Sequence, residues 1–263
     1  MSWQRILGIF ERNIFLYRRS IPRLMEIFYW PAINLFVWGF LTVYLSRYGD
    51  NLPQFVAFFI GALILWDMLF RAQLGISVSF LEDIWASNLL NIFASPLRPG
   101  EYIVSLMMVS AFKVVVTITF MSLMAWVLYS FNIFILGISL LPFILNLTAM
   151  GWSIGIYTTA FVLRFGQEAE VLAWALGFLF MPVSAVFYPV DVLPPFLQTV
   201  ARFVPSSHIF EGMRDVILNG GFPLEKLVRA AGLNIIFMLS AFLVFARFFH
   251  TVKKKGLLVR IGE

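Results

Sequence analysis

The sequence predicts an all-α integral membrane protein with six transmembrane helices, and three observations carry that expectation. The first is composition. Of 263 residues, 61% are hydrophobic and 13% charged, against roughly 45–50% and about 25% in soluble domains. One core of this size cannot hide so much apolar surface, so lipid must cover the rest. The second is a set of six apolar runs, at about 27–45, 55–80, 103–130, 136–163, 171–188 and 227–249. Each is near the roughly 20 residues that a helix needs to cross a bilayer. The third is the uneven placing of the basic residues about those runs. This composition excludes a water-soluble enzyme, a disordered scaffold and a nucleic-acid binder. The chain has no cysteine, which removes disulfides, thiolate metal sites and cysteine nucleophiles.

The elements follow in order. In residues 2–19, Trp3, Ile6, Leu7, Phe10, Ile14 and Tyr17 recur at steps of three and four. Gln4, Arg5, Glu11, Arg12 and Arg18 fall elsewhere on the wheel. That pattern is an amphipathic helix suited to lying in the membrane interface, with the interface element reaching residue 23. The first twenty residues carry Arg5, Glu11, Arg12, Arg18 and Arg19 and no small-residue cleavage site, so no cleaved signal peptide is expected. Spans one to five then fill 27–188. Asp50-Asn51-Leu52-Pro53 separates the first from the second. The run from Ser95 to Glu101, with Pro96 and Pro99, separates the second from the third. A tight turn at Phe131-Asn132-Ile133-Phe134 divides the third from the fourth, and Arg164 to Glu168 divides the fourth from the fifth. The sixth span ends by residue 250, and 251–263 form a tail. The whole of 1–263 reads as one membrane domain, with no room for a soluble catalytic domain.

Six spans put both termini on one side. Arg5, Arg12, Arg18, Arg19, Arg23, Arg98, Arg164, Arg247, Lys253, Lys254, Lys255 and Arg260 lie there, twelve in all. The other side has five: Arg47, Arg202, Arg214, Lys226 and Arg229. The positive-inside rule therefore places both termini in the cytoplasm.

Two connections are more than loops. Residues 81–99 have a mixed face and read as a short cytoplasmic helix ending at Ser95-Pro96, because the residue before proline disfavours helix. Residues 189–225 are long, external and rich in Leu, Phe and Val, with Pro182, Pro189, Pro194, Pro195 and Pro205 strung along the region. Broken backbone at membrane depth must be buried in protein or line a wet cavity. The region reads as two short helices, about 195–203 and 207–218, dipping into the outer half of the bilayer, with Ser206 or Ser207 capping the second.

The stretch Pro182-Val183-Ser184-Ala185-Val186-Phe187-Tyr188-Pro189, then Leu193-Pro194-Pro195-Phe196-Leu197, Pro205 and Glu211-Gly212-Met213-Arg214, resembles the signature of type-2 ABC exporter permeases. Glu82-Asp83-Ile84-Trp85, then Asn88-Leu89-Leu90 and Ser95-Pro96-Leu97, resembles that family's coupling helix. The likeness covers nearly the whole chain, although the Glu-x-Gly-Thr opening of many members is missing. The resemblance implies two copies of this permease, as a homodimer, and a separate ATPase in two copies that carries the ATP and Mg. Glu82, Asp83, Trp85, Asn88 and Leu89, with Arg5 and Arg12, would meet that ATPase. The cargo would be a lipid, glycan or hydrophobic compound leaving a bacterium through its cytoplasmic (inner) membrane. No G-x-x-x-x-G-K-[ST] loop occurs here, so no catalysis or cofactor is expected on this chain. Two other readings stay open: an integral-membrane enzyme acting on lipid or peptide, and a passive channel or scramblase.

Among single residues, Asp67 and Arg71 are four apart and share a helix face. They form a structural pair, or Arg71 snorkels to the interface, or both serve the substrate path or a gate. Lys113 stands mid-span, where a charge is costly, and Asp67 is its expected partner. Phe36, Trp38, Trp66 and Phe70, with Phe187 and Tyr188, are candidates to line the path or gate. Gly151-Trp152-Ser153-Ile154-Gly155 matches G-x-S-x-G, but within an apolar helix it reads as G-x-x-x-G packing. Glu211 and Arg214 pair locally or take part in gating. His208 has no second histidine or cysteine beside it, so no metal site is expected. Lys253-Lys254-Lys255 reads as an anchor to anionic lipid.

Overall fold

The computed structural model describes residues 1–46 and 52–256. Arg47, Asp50, Asn51 and Arg260, with most of the expected tail, fall outside the described residues. Within them the order is α1 (Trp3–Arg18), α2 (Ile21–Ser46), α3 (Leu52–Trp85), α4 (Leu89–Ala94), α5 (Pro99–Tyr129), α6 (Leu140–Phe165), α7 (Leu172–Val183), α8 (Pro195–Ala201), α9 (Pro205–Asn219) and α10 (Leu224–Lys254). No strand occurs among the described residues.

Among the described residues, five stretches are long and apolar enough to cross a bilayer: Ile21–Leu45, Val56–Trp85, Pro99–Tyr129, Ile133–Phe165 and Leu224–Lys254. The expected fifth span is different. It is α7, with 12 residues, about 18 Å long at 1.5 Å per residue and well short of the roughly 30 Å hydrocarbon layer. Pro182 lacks the N–H that would continue the ladder, and Ala185 then turns the chain at φ 50°. The 184–223 segment, with α8 and α9, joins α7 to α10. The expected tight turn after α5 is also longer. Ser130 adopts φ 53°, Asn132 caps Phe134 through a 3.0 Å bond, and a 3₁₀ segment kinked at Gly137 (φ 54°) precedes α6.

Helix α3 is the axis of the bundle: 78% of its apolar stretch is buried, against 22% for α2. Helices in lipid gain little from apolar contact alone, so close backbone approach and hydrogen bonds carry the packing. Both are present. A Cβ at Gly151 would lie 2.5 Å from the Leu69 carbonyl oxygen, and one at Gly155 would lie 2.9 Å from that of Gln73. Ser110 Oγ donates to Ala72 O (2.8 Å), Trp152 Nε1 donates to Ser110 Oγ (3.0 Å), and Gln73 Nε2 donates to Ala173 O (2.5 Å). These bonds fasten α3 to α5, α6 and α7. On the outside, Ile235, Ile236, Leu239 and Leu243 of α10 stand exposed as a lipid-type surface.

Both described ends of the chain meet at one end of the bundle. The Ser2 amide donates to Glu101 at the start of α5 (2.7 Å), and Phe249 near the end of α10 packs edge-on to Phe93 of α4 (4.9 Å). Helix α1 lies against α5 there and buries Ile6, Asn13 and Tyr17. Its apolar stripe is therefore split: Ile6, Phe10 and Tyr17 face protein, while Trp3 points outward.

Candidate functional site

The corner where α1, α3, α4 and α5 converge, at the end where both described ends of the chain meet, gathers most of the residues expected to meet a partner. Helix α3 ends at Trp85, Ser87 turns the chain at φ 50°, and α4 runs back under the bundle with Leu89 and Ile92 buried. The Asp83 carboxylate accepts from Tyr102 Oη at 2.7 Å and from Arg12 at 2.5 Å. Arg23 Nε donates to Glu82 at 2.7 Å. Arg5 donates to Pro96 O (2.5 Å) and to Glu101 (3.4 Å). Glu101 also accepts from the backbone N–H of Ser2 (2.7 Å) and of Arg98 (2.9 Å).

These bonds give the residues expected to meet a partner a bracing part within the bundle as well. Arg12 and Asp83 tie α1 to α3, Glu82 ties α3 to Arg23 of α2, Arg5 ties α1 to Glu101 of α5, and Asp83 and Leu89 are buried. They brace the corner, with the Arg5 and Arg12 side chains still 40% and 29% exposed. The outward face includes Trp85, 50% exposed, Leu90, and Asn91, which bonds to Asn88 (3.3 Å).

Deeper in the bundle, Arg71 and Asp67 pair at 3.2 Å with both side chains buried. Arg71 does not snorkel: its second bond goes to the Glu26 carbonyl at 2.8 Å. Lys113 does not meet Asp67 either. Its ammonium stands 4.0 Å from the Glu26 carboxylate and 4.3 Å over the Tyr17 ring. Burial raises the Tyr17 phenol above its ordinary pKa.

At the other end, Arg214 reaches well beyond a local pair. It pairs with Glu211, donates to Ala185 O (2.7 Å) and Tyr188 O (2.8 Å), and lies 4.8 Å over the Phe58 ring. Glu211 accepts from the Val190 amide at 3.0 Å. One arginine and one glutamate thus clamp the turn between α7 and α8. The prolines punctuate that chain: Pro182 closes α7, Pro189 and Pro194 precede helical turns, and Pro195 and Pro205 open α8 and α9. Neither Ser206 nor Ser207 caps α9, which begins at Pro205. Ser206 Oγ bonds to Ser184 Oγ, and Ser207 Oγ donates to the Ala201 and Val204 carbonyls.

The aromatic candidates are scattered rather than gathered around one cavity. Phe36 stacks on Phe40, Trp66 is buried against Phe210, and Phe70 contacts Phe178 of α7. Tyr188 Oη is bonded to Pro182 O. Phe187 does bridge elements, stacking at 4.6 Å on Phe59 and at 6.4 Å on Trp38. Ser153 donates to Ala149 O within α6, and His208 bonds to Arg202 O at the far end of the bundle. No nucleophile–base pair forms at Ser153. The described residues hold no group of three or more His, Asp or Glu fit for a metal.

Sequence reasoning missed Glu26, Glu101 and Tyr102. Glu101 left a trace, since an acid three residues after Arg98 with Pro99 between is a helix-start pattern. Tyr102 and Glu26 left none, because their partners are 19 and 87 residues away along the chain.

A multi-pass helical bundle, braced by charge at one end and closed by a proline-rich hairpin at the other, has the shape of a membrane-transport permease. Residues 33–249 match the family described as ABC-2 family transporter protein, and the chain belongs to that family. It is an ABC transporter permease embedded in a membrane. It is 28% identical over 181 residues to ABC transporter G family member 20 of Dictyostelium discoideum. That match takes in 68% of this chain and 24% of the relative's length.

Proposed function

We propose that this chain is the transmembrane subunit of an exporter driven by a separate ABC ATPase. Two ATPase copies, holding ATP and Mg, press on a homodimer of this permease and move a lipid, glycan or hydrophobic compound out of the cytoplasm. The observation that carries the reading is the inner corner. Three ion pairs, Arg5–Glu101, Arg12–Asp83 and Arg23–Glu82, make α1, the α2 foot, α3 and α5 one unit, while Trp85 and Leu90 remain exposed on it. A rigid corner with an apolar knob suits a surface that receives a push and passes it on. Weakly covered α2 offers a face for the second copy. The twelve-to-five basic asymmetry supports placing the corner in the cytoplasm of a bacterium.

The test is expression with and without the co-encoded ATPase. Stable co-purification, and ATP hydrolysis that needs both chains, is the expected outcome. Full transport or hydrolysis by the permease chain alone overturns the reading. Mass spectrometry of material held by a complex with a hydrolysis-deficient ATPase then identifies the cargo class.

A further inference from the structure

Helices α5 and α6 follow one another in the chain, yet they meet at one level and part beyond it. They meet where Trp152 Nε1 donates to Ser110 Oγ (3.0 Å). There α3 is drawn tight against α5, and a Cβ at Gly75 would lie 2.7 Å from that of Ser110. Further from the corner the two helices leave a cleft of about 530 Å³ between them, within the range of ligand sites. The connection from α5 to α6, turned by positive φ at Ser130 and Gly137, walls the far end with the buried Phe131 and Ile133.

The lining changes along its length. Ile118, Leu123, Leu140 and Ile144 make apolar walls. Thr119 stands among them, but its hydroxyl is spent on Val115 O (2.8 Å) in its own helix. Nearer the mouth the donors are unspent. Asn132 uses its oxygen to cap Phe134, while its Nδ2, Ser122 Oγ and Trp126 Nε1 have no hydrogen-bond partner among the described residues. Trp126 is exposed near the end of α5, and tryptophans so placed gather at headgroup level. The rise from Ile118 to Trp126 is about 12 Å, which stays within one leaflet of the roughly 30 Å hydrocarbon layer. No charged side chain is among the described residues that line the cleft.

A cleft of this kind on a membrane-crossing bundle takes an occupant. Walls with nothing opposite them forfeit dispersion contacts, and water finds no partners on apolar walls. A helix of another chain is about 10–12 Å across, and a 12 Å length of it needs roughly twice the volume present. A lipid tail is slender and apolar, and it ends in oxygens that accept hydrogen bonds.

We propose that the α5–α6 cleft is a binding site for a bilayer phospholipid. Its tail lies between Ile118 and Ile144, and its ester and phosphate oxygens accept from Ser122, Trp126 and Asn132. The bound tail is a wedge that keeps α5 and α6 apart. With no charge in the lining, the site reads the tail and the oxygens and is indifferent to the charge of the headgroup.

The test reconstitutes the full chain in phosphatidylcholine vesicles holding a small fraction of photoreactive phosphatidylcholine. The diazirine sits at the end of one tail in one probe and beside the ester in the other, and adducts are mapped by mass spectrometry. The tail-end probe is expected at the level of Ile118 and Ile144, and the ester-side probe at Ser122, Trp126 and Asn132. Yields there should exceed those at the exposed Ile235, Ile236 and Leu239 of α10 by about fivefold or more. Ile144→Trp fills the cleft and should bring its yield down to the α10 level, while Leu239→Trp leaves the yield as it was. Asn132→Asp keeps the cap on Phe134 but trades the donor for a negative charge. It should lower the ester-side yield about tenfold, and it serves where Ile144→Trp does not accumulate. The same probes on phosphatidylglycerol should label the cleft equally.

Even labelling of the cleft and of α10 overturns the proposal, and so does cleft labelling that survives both Ile144→Trp and Asn132→Asp; each leaves only lipid that bathes the surface. Labelling that follows headgroup charge overturns it as well. Leu123→Cys is the one thiol in its chain, and two chains cross-linked through it with no lipid adduct on that wall would give the cleft to a second copy instead. None of these outcomes involves an ATPase, so the exporter reading stands or falls separately.

Discussion

The corner where α1, α3, α4 and α5 meet and the proline-rich hairpin at the other end are both fastened by arginine, but in opposite ways. At the corner, three arginines on α1 and α2 each take a different carboxylate on α3 or α5, and their side chains stay 24–40% exposed. The load is shared, and each pair is partly screened by water. At the hairpin, a single arginine, 11% exposed, holds two turn carbonyls and Glu211 at once. The first design lets a helix be pushed without one decisive bond breaking. The second makes one side chain decide whether a turn exists. A part proposed to transmit force and a part that must keep its shape would divide the same chemistry differently.

The largest effect should come from breaking the hairpin clamp. Arg214→Ala removes at once the donor to two part-buried turn carbonyls and the charged partner of Glu211, a loss of about 3–5 kcal/mol on the scale of a broken buried pair. Thermal unfolding in detergent should show it as a marked drop in midpoint. Arg214→Lys should recover only part of it, since an ammonium cannot reproduce the planar fork. A midpoint unchanged by Arg214→Ala would remove the contrast between the two ends.

Single breaks at the corner should cost less. Asp83→Asn removes the charged partner of Arg12 while leaving an acceptor for Tyr102. Its expected cost is about 1.5–3 kcal/mol, the worth of a charged hydrogen bond. Arg5→Ala, at a side chain 40% exposed, should stay within about 1 kcal/mol. Limited trypsin cleavage at Arg18 and Arg19, both exposed, reports how tightly α1 is held. The order Asp83→Asn faster than Arg5→Ala, and Arg5→Ala near the native rate, is expected. The reverse order would mean that the outermost pair, not Asp83, holds the helix.

The long helices were legible because apolar runs and polar punctuation are local. Asp67 and Arg71 were legible as a pair because four residues bring two side chains onto one helix face. The shortness of α7 was not, since Pro182 sits in an unbroken apolar run and only the geometry after it shows the helix ending. The corner was half legible. Its residues stood out as scarce charges, but the partners Arg12 and Asp83 are 71 residues apart. Without that contact, the bracing part these residues play could not be read. The partner of Lys113 failed for the same reason: Asp67 was the one acid inside an expected span, and Glu26, on another helix, was the one in place.

The central claim is that the corner is braced from within and receives its ATPase on the exposed knob. Pull-down of the co-expressed ATPase by Trp85→Ala with Leu90→Ala, beside Glu82→Gln, tests it most directly, with thermal unfolding as the control. The account predicts that the Trp85 and Leu90 substitutions lose the ATPase while the bundle unfolds at its native midpoint, and that Glu82→Gln lowers the midpoint but keeps the ATPase. Full ATPase recovery without Trp85 and Leu90, together with its loss in a stably folded Glu82→Gln chain, would contradict it.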